Sequence, residues 1–390
     1  MYDSSEIEHT LSTIDNLIKG YCLGLENVAE SLILKHYLDT VISIETITEH
    51  SNSIWVRTEA SATKALVNLK QYQSVIMAGA NRLTEELQML SNVANGIKVK
   101  KPHTTELTIK KPIRYIVDGK FEPTNIRPLL VEFQNLLDFN QKVLLPYSEI
   151  CTDLLDSVEF NEEFLKDFNT NPSTLTATQW LRGAEVVESD SEDDNGKATV
   201  PVYKGKTFNA NRSLIYHGPE AEFTDTFESK KSQWDLVVKS LSTIKFKCSK
   251  DPTVQSPNDE AAEFTVSGVT GIRQRTDILN GVIKRMLSKA NDINKHLDSV
   301  AKLLKICSNI KDNANSVKTD PDVTTTDHPT PNRVFMESLM LLRNQIRLTF
   351  EYYNVMSVFL RLVGSLSYIC DLELKAYSEP IVKPTEEPKQ

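Results

Sequence analysis

Seven histidines, five cysteines and a short acidic run are the residues of this chain with the chemistry to hold a metal or attack a substrate. His9, His36, His50, His103, His217, His296 and His328 never form H-x-x-x-H or H-E-x-x-H, the spacings that turn two imidazoles toward one zinc ion. The acids of Ser189-Asp190-Ser191-Glu192-Asp193-Asp194 are hard-cation ligands by type. They lack the D-x-D-x-D-G…E order that wraps calcium, so the run Glu185 to Asp194 is expected to be a solvated loop. Cys22, Cys151, Cys248, Cys307 and Cys370 lie far apart with no C-x-x-C pair, which suits free thiols in a reducing compartment. Cys22, Cys307 and Cys370 fall inside apolar helical patterns and are expected to be small buried hydrophobes.

Phosphate cradles need glycines that let backbone N–H groups approach an anion at a helix start. Ser267-Gly268-Val269-Thr270-Gly271 carries neither the following Lys-Ser/Thr nor the preceding strand of such a loop, so its glycines are expected to mark the turn into a helix. No G-x-S-x-G elbow is present; Gly364-Ser365-Leu366-Ser367-Tyr368 lacks the second glycine and sits in a helical pattern. A catalytic carboxylate pair would converge only in three dimensions. The reading is therefore a non-enzymatic chain with no cofactor, no metal site and no catalytic residues.

Charge narrows the partners. A net charge of −9 opposes a nucleic-acid footprint over the whole surface, because phosphate binding draws on Lys and Arg displacing counterions. The one local basic strip is Lys98, Lys100, Lys101, Lys110, Lys111 and Arg114, which also reads as a solvated strand face. Sequence-specific nucleic-acid binding is not expected. The opening Met1-Tyr2-Asp3-Ser4-Ser5-Glu6 is acidic and polar where a signal peptide would be basic and then apolar, so the chain is expected to be intracellular and soluble. Val355 to Cys370 is apolar for only about 16 residues and is interrupted by Arg361, against roughly 20 needed for a membrane span. It reads as a buried helix, with no membrane partner.

What must position any site is a set of long helices. Apolar residues recur at alternating spacings of four and three, which keeps one seam of a helix facing a neighbour. A first seam runs Ile7, Leu11, Ile14, Ile18, Tyr21, Leu25, Val28, Leu32, with Asp3, Ser4 and Ser5 as capping oxygens. After the polar stretch His50-Ser51-Asn52-Ser53, a second runs Ala62, Leu66, Leu69, Ile76, Ala80, Leu83, Leu87, Leu90 and stops near Asn95-Gly96. The third runs Ile272, Leu279, Ile283, Met286, Ala290, Ile293, Leu297, Val300, Leu304, Cys307 as one rod of roughly 54 Å. Past a polar connection from Lys311 to Pro331, the fourth runs Phe335, Leu339, Leu342, Ile346, Tyr353, Met356, Leu360, Val363, Cys370, Leu374.

Between the seams the chain changes character. Leu107, Ile109 and Ile113 to Val117 read as strand leading into the tight turn Asp118-Gly119, with two more short strands at Val200 to Tyr203 and Ser213 to Gly218. Helix returns over Ile126 to Phe160, where Pro146 is expected to kink or stop it. Ser249 to Glu260 reads as an exposed connection, and the tail after Tyr377 as loose.

The fold class is therefore mainly α: two long antiparallel helical hairpins, bundle-like or coiled-coil-like, with a small inserted α+β region. The expected division is a helical hairpin over 1–97, a mixed region with strands, a helix and an acidic loop over 98–230, a long-helix bundle over 231–378, and a flexible tail over 379–390. Leu279, Ile283, Met286, Ile293, Leu297, Leu304, Leu339, Leu342, Ile346, Tyr353 and Leu360 are the expected packing seam for neighbouring helices or a partner.

Four stretches together resemble the internal head proteins of large tailed bacteriophages. They are Ser61-Ala62-Thr63-Lys64-Ala65-Leu66, the strand-turn Tyr115-Ile116-Val117-Asp118-Gly119-Lys120, the strand Asn209-Ala210-Asn211-Arg212-Ser213-Leu214-Ile215, and the terminal pair of long helices. The resemblance implies a virion structural protein of the head interior, inner body or core, assembled in the bacterial cytoplasm beside other virion proteins, in one or several copies. It also implies trimming by a prohead protease that favours a short pattern ending in Glu, for which Ser43-Ile44-Glu45 and Ile47-Thr48-Glu49 qualify. Internal proteins that neutralise DNA are often basic, whereas this chain has a pI near 5.4, which suits a scaffold-like or inner-body component, or a tail or neck component. Other readings of the same helices are an adaptor that takes a partner helix in an apolar groove, and a helical enzyme whose site forms only in the fold.

Overall fold

The computed structural model describes residues 44–98, 101–159, 165–168, 170–187, 201–219, 229–250, 261–314 and 331–378. The first seam, the acids 188–194 and the tail 379–390 lie outside the described residues, as do most of the connections predicted at 249–260 and 311–331.

The protein is mostly helical and is built around helix α7 (Pro331–Lys375). Buried residues occur on every side of it, from Val334 and Phe335 through Leu348, Phe350, Tyr352 and Tyr353 to Ile369 and Leu374. A helix apolar all round needs neighbours all round. These are α1 (Ile44–Gly96), α2 (Arg127–Phe139), α3 (Leu145–Asp156), α4 (Lys230–Thr243), α5 (Val269–Ser288) and α6 (Ala290–Ala314). By length and composition α7 could cross a membrane, but more than half of its most apolar stretch is buried within the protein.

α1 is one rod of 53 residues, about 80 Å long at 1.5 Å per residue. The polar stretch His50 to Ser53, expected to break the chain into a hairpin, lies inside it. It contains neither Gly nor Pro, and Ser, Asn and His each cost only a few tenths of a kcal/mol in a helix, too little to stop one. The first arm of the expected hairpin lies outside the described residues. Hydrogen bonds fix how α1 meets its neighbours. Asn95 to Arg273, Ser91 to Asp277 and Gln88 to Asn280 set α1 and α5 antiparallel. Tyr72 against Phe350 and Tyr353, with Glu86 bonded to Ser367, sets α1 and α7 parallel.

The third seam is two helices rather than the single rod expected. At Lys289 the backbone N–H turns back to Met286, a tighter closure than the i→i−4 ladder, and α6 starts afresh at Ala290. The restart rotates the apolar stripe of α6, so Leu303 is buried where Leu304 is only half-buried. α6 then runs antiparallel to α7, with Cys307 against Ser338 at one end and His296 against Tyr352 at the other.

Pro146 neither stops nor breaks its helix. α2 passes through the π turn Asn140–Leu144 into α3, with Leu145 N–H closing onto Asn140 C=O and Pro146 in the first turn that follows. A prolyl nitrogen has no proton to give, and the wider turn absorbs the missing bond.

Three small antiparallel sheets cap the helices. β1 (Glu106–Ile109) pairs with β8 (Ala262–Thr265), and β2 (Ile116–Val117) pairs with β3 (Lys120–Phe121) across the Asp118-Gly119 turn. Both turn residues have positive φ, as the sequence led one to expect. Ile113 to Tyr115, expected to be strand, instead form a 3-10 turn entered through Pro112. The largest sheet orders β4 (Glu185–Val187), β5 (Val202–Lys204), β6 (Arg212–His217) and β7 (Lys245–Lys250). β5 and β6 answer the expected strands. β4 takes up the first residues of the expected acidic loop, and β7 includes the first residues of an expected connection. β7 alternates outward lysines with Phe246 and Cys248, a pattern too polar to announce a strand.

Candidate functional site

The expected seam closes on the protein's own core. Leu279, Ile283, Met286, Leu297, Leu339, Leu342, Ile346 and Tyr353 are buried in one continuous apolar cluster, with Leu304 and Leu360 half-buried against it. Ile293 lies on α6, and its side chain is outside the described residues. Glu45 and Glu49 fall in the first turns of α1, their side chains likewise outside the described residues. Aromatic rings lock this core where the π turn meets the sheet. Phe139 stacks on Phe246 at 4.0 Å, and Trp180, Tyr216 and Tyr352 pack around it.

Several polar groups trapped in this core are placed by the helices against specific partners. Asn344 of α7 donates through Nδ2 to the C=O groups of Leu241 and Ile244, which satisfies carbonyls at the end of α4, and to Tyr147 Oη. Ser338, Thr349 and Ser365 donate to carbonyls three or four residues back in α7. Arg275 of α5 and Glu373 of α7 form a buried ion pair, and Glu373 Oε1 also accepts from Ser267 N–H at 2.9 Å. Tyr377 Oη donates to Ser267 C=O at 2.9 Å, and His103 N–H to Ala376 C=O at 2.8 Å. Together they pin the end of α7 to the start of α5, over a second apolar cluster that contains Ile272, Cys370 and Leu374.

Two buried titratable groups stand out. Glu132 of α2 has no exposed surface; burial pushes its carboxyl up to about 7, against bonds from Asn135 and the Lys206 N–H that favour the ion. His296 of α6, also fully buried, bonds through Nε2 to Asn140 Oδ1 in the π turn, and burial lowers its imidazole to about 3. A neutral ring with its Nε2 proton given to an amide oxygen is a structural fastener. The thiols follow the same logic: burial raises Cys151, Cys307, Cys248 and Cys370, which keeps them protonated and poor nucleophiles. Cys22 lies outside the described residues.

Among the described residues no group of three or more His, Cys, Asp or Glu could hold a metal ion. Glu132 and His296 stand in separate settings, each with its own hydrogen bond; Glu132 lies near enough to Cys248 to help raise that thiol, which keeps it protonated. Of the basic strip, Lys98, Lys101, Lys110, Lys111 and Arg114 are exposed, and Lys100 is outside the described residues. Sequence reasoning missed Arg275, Glu373 and Asn344, since a polar residue in a helical pattern looks the same whether it faces water or a neighbouring helix.

A family model, described as phiKZ-like phage internal head proteins, matches residues 11–372 of the chain. No curated protein and no solved structure matches it.

Proposed function

This chain belongs to the phiKZ-like phage internal head protein family, and we propose that in the virion it is a non-enzymatic component of the inner body or core that works through helix packing. The family itself carries the virion structural role and the location inside the head. The observation that supports the finer reading is α7, a 45-residue helix enclosed by six others. Such a helix makes a stiff building block.

The working parts are proposed to be 1–97, 98–230, 231–378 and the tail 379–390, with the first three contributing to one apolar core. The antiparallel pair α6–α7 serves as the long hairpin of that body. Because the seam residues are spent internally, contacts with other virion proteins, or with further copies of this chain, fall to surfaces outside the seam. Assembly takes place in the host cytoplasm before the head closes. Mass spectrometry of purified particles, separated into emptied shells and released contents, tests the reading. The chain is expected with the internal fraction, and its absence from particles would remove the proposal.

A further inference from the structure

Cations crowd one face where α7 reaches the surface beside β7. In β7, Lys245 and Lys247 flank buried Phe246, so both point away from the core. His217 of β6 is the direct cross-strand neighbour of Lys245, and Ile215 that of Lys247. α7 packs against β7, and Arg343 and Arg347, one helical turn apart, are exposed on a helix that is otherwise largely enclosed. Arg347 links the two elements, acting on His217 and Lys245 of the sheet and on Arg343 of its own helix. After burial, the causes that lower His217 are Lys245, Lys247 and Arg347; those that lower Lys245 are Arg347 and Lys247; Arg343 is lowered by Arg347.

Among the described residues no acid closes an ion pair on this patch: none of Lys245, Lys247, Arg343 and Arg347 forms one. The acid that faces it is Glu351, one turn beyond Arg347; burial raises its carboxyl, and Asn354 bonds it at 3.5 Å. A chain of net charge −9 that leaves four permanent cations together and unpaired retains a strong local attraction for anions.

We propose that His217, Lys245, Lys247, Arg343 and Arg347 form a binding surface for the phosphate backbone of duplex nucleic acid, read without regard to sequence. The cations lie in two short rows, one along a strand and one along a helix. Neighbours within each row are about 6 to 7 Å apart at the backbone, which suits a repeating line of charges better than one compact anion. The cations lie along a strand and within the body of α7 rather than at a helix terminus, and the contacts proposed are with phosphates. The choice of nucleic acid over an acidic protein rests on the internal-head reading, since the packaged genome is the densest polyanion in a phage head.

The test uses the full chain and random-sequence duplex DNA, followed by fluorescence anisotropy over a salt series. Four permanent cations predict a slope of log K against log salt of about −3.6, and Lys247→Glu with Arg347→Glu should at least halve it. Unchanged melting temperature in that double variant shows that the fold survives, and Lys98→Glu with Lys101→Glu is the control expected to bind as the parent does. By NMR, the His217 imidazole should titrate higher with duplex present, because phosphate relieves its cationic neighbourhood. The proposal is overturned if parent and double variant bind alike, if neither binds, or if a poly-glutamate peptide occupies the patch while duplex does not. None of these outcomes touches the virion assignment, which the particle fractionation decides separately.

Discussion

Glu373, two residues before the end of α7, is held against Arg275 of α5 with essentially no access to water. Its other oxygen takes the N–H of Ser267, so one carboxylate ties together the entry to α5 and the exit from α7. Removing one member of such a pair strands the other charge in a medium that solvates it poorly.

Glu373→Ala and Arg275→Ala should therefore each destabilise the protein by about 3 to 5 kcal/mol. The double change Arg275→Ala with Glu373→Ala should cost clearly less than the two single changes added together. Chemical denaturation arranged as a double-mutant cycle measures this, and strict additivity would show that the two side chains do not depend on each other.

Glu132 and His296 give opposite pH dependences. The Glu132 carboxyl lies above its unfolded value, so its contribution is intact below about pH 4.5 and is lost as pH rises through about 7. The His296 imidazole lies below its unfolded value, so its contribution is intact above about pH 6.5 and is lost as pH falls toward about 3. Each slope approaches 1.4 kcal/mol per pH unit, and they offset one another between about pH 4.5 and 6.5, where stability should be flat. Glu132→Gln should expose a rise in stability with pH across that window, and His296→Asn a fall. Melting temperatures recorded from pH 4 to 8 check both signs.

Leu297 packs inside α6, so Leu297→Asp buries an unpaired charge and should cost more than about 4 kcal/mol. Ile278→Asp, on the exposed side of α5, should change stability by less than about 0.5 kcal/mol. A melting temperature for the Leu297 variant equal to that of the parent would mean that the seam faces solvent.

Glu45 and Glu49 lie on α1, each at the end of a short pattern closing in Glu, Ser43-Ile44-Glu45 and Ile47-Thr48-Glu49. If the head protease trims this chain, peptides from mature particles should begin at Thr46 or His50. Recovery of intact peptides spanning both sites, with no such new end, would rule out processing here.

The helical class was legible because apolar residues at alternating three and four leave the same stripe whatever lies against it. Leu279, Ile283, Met286 and Leu297 are buried as that stripe implies. Asp118-Gly119 was legible as a turn, since few pairs accept two positive φ angles in succession. The break at Lys289 was not, for the residues around it carry no Gly or Pro and the switch lies in one backbone bond. Nor was β7, whose lysines look like loop until Phe246 finds Phe139. The basic patch was equally hidden: its members come from positions 217, 245, 247, 343 and 347, while the run of lysines near 98–114 is the more conspicuous one in the sequence.

Periodicity alone determined that this chain would be rods with greasy faces, because local spacing dictates which side chains share a helix face. Which rod lies at the centre, which buried charge meets which, and where cations from distant segments gather were decided only in three dimensions. Those depend on contacts between residues a hundred or more positions apart, and such contacts leave no pattern in the order of the residues.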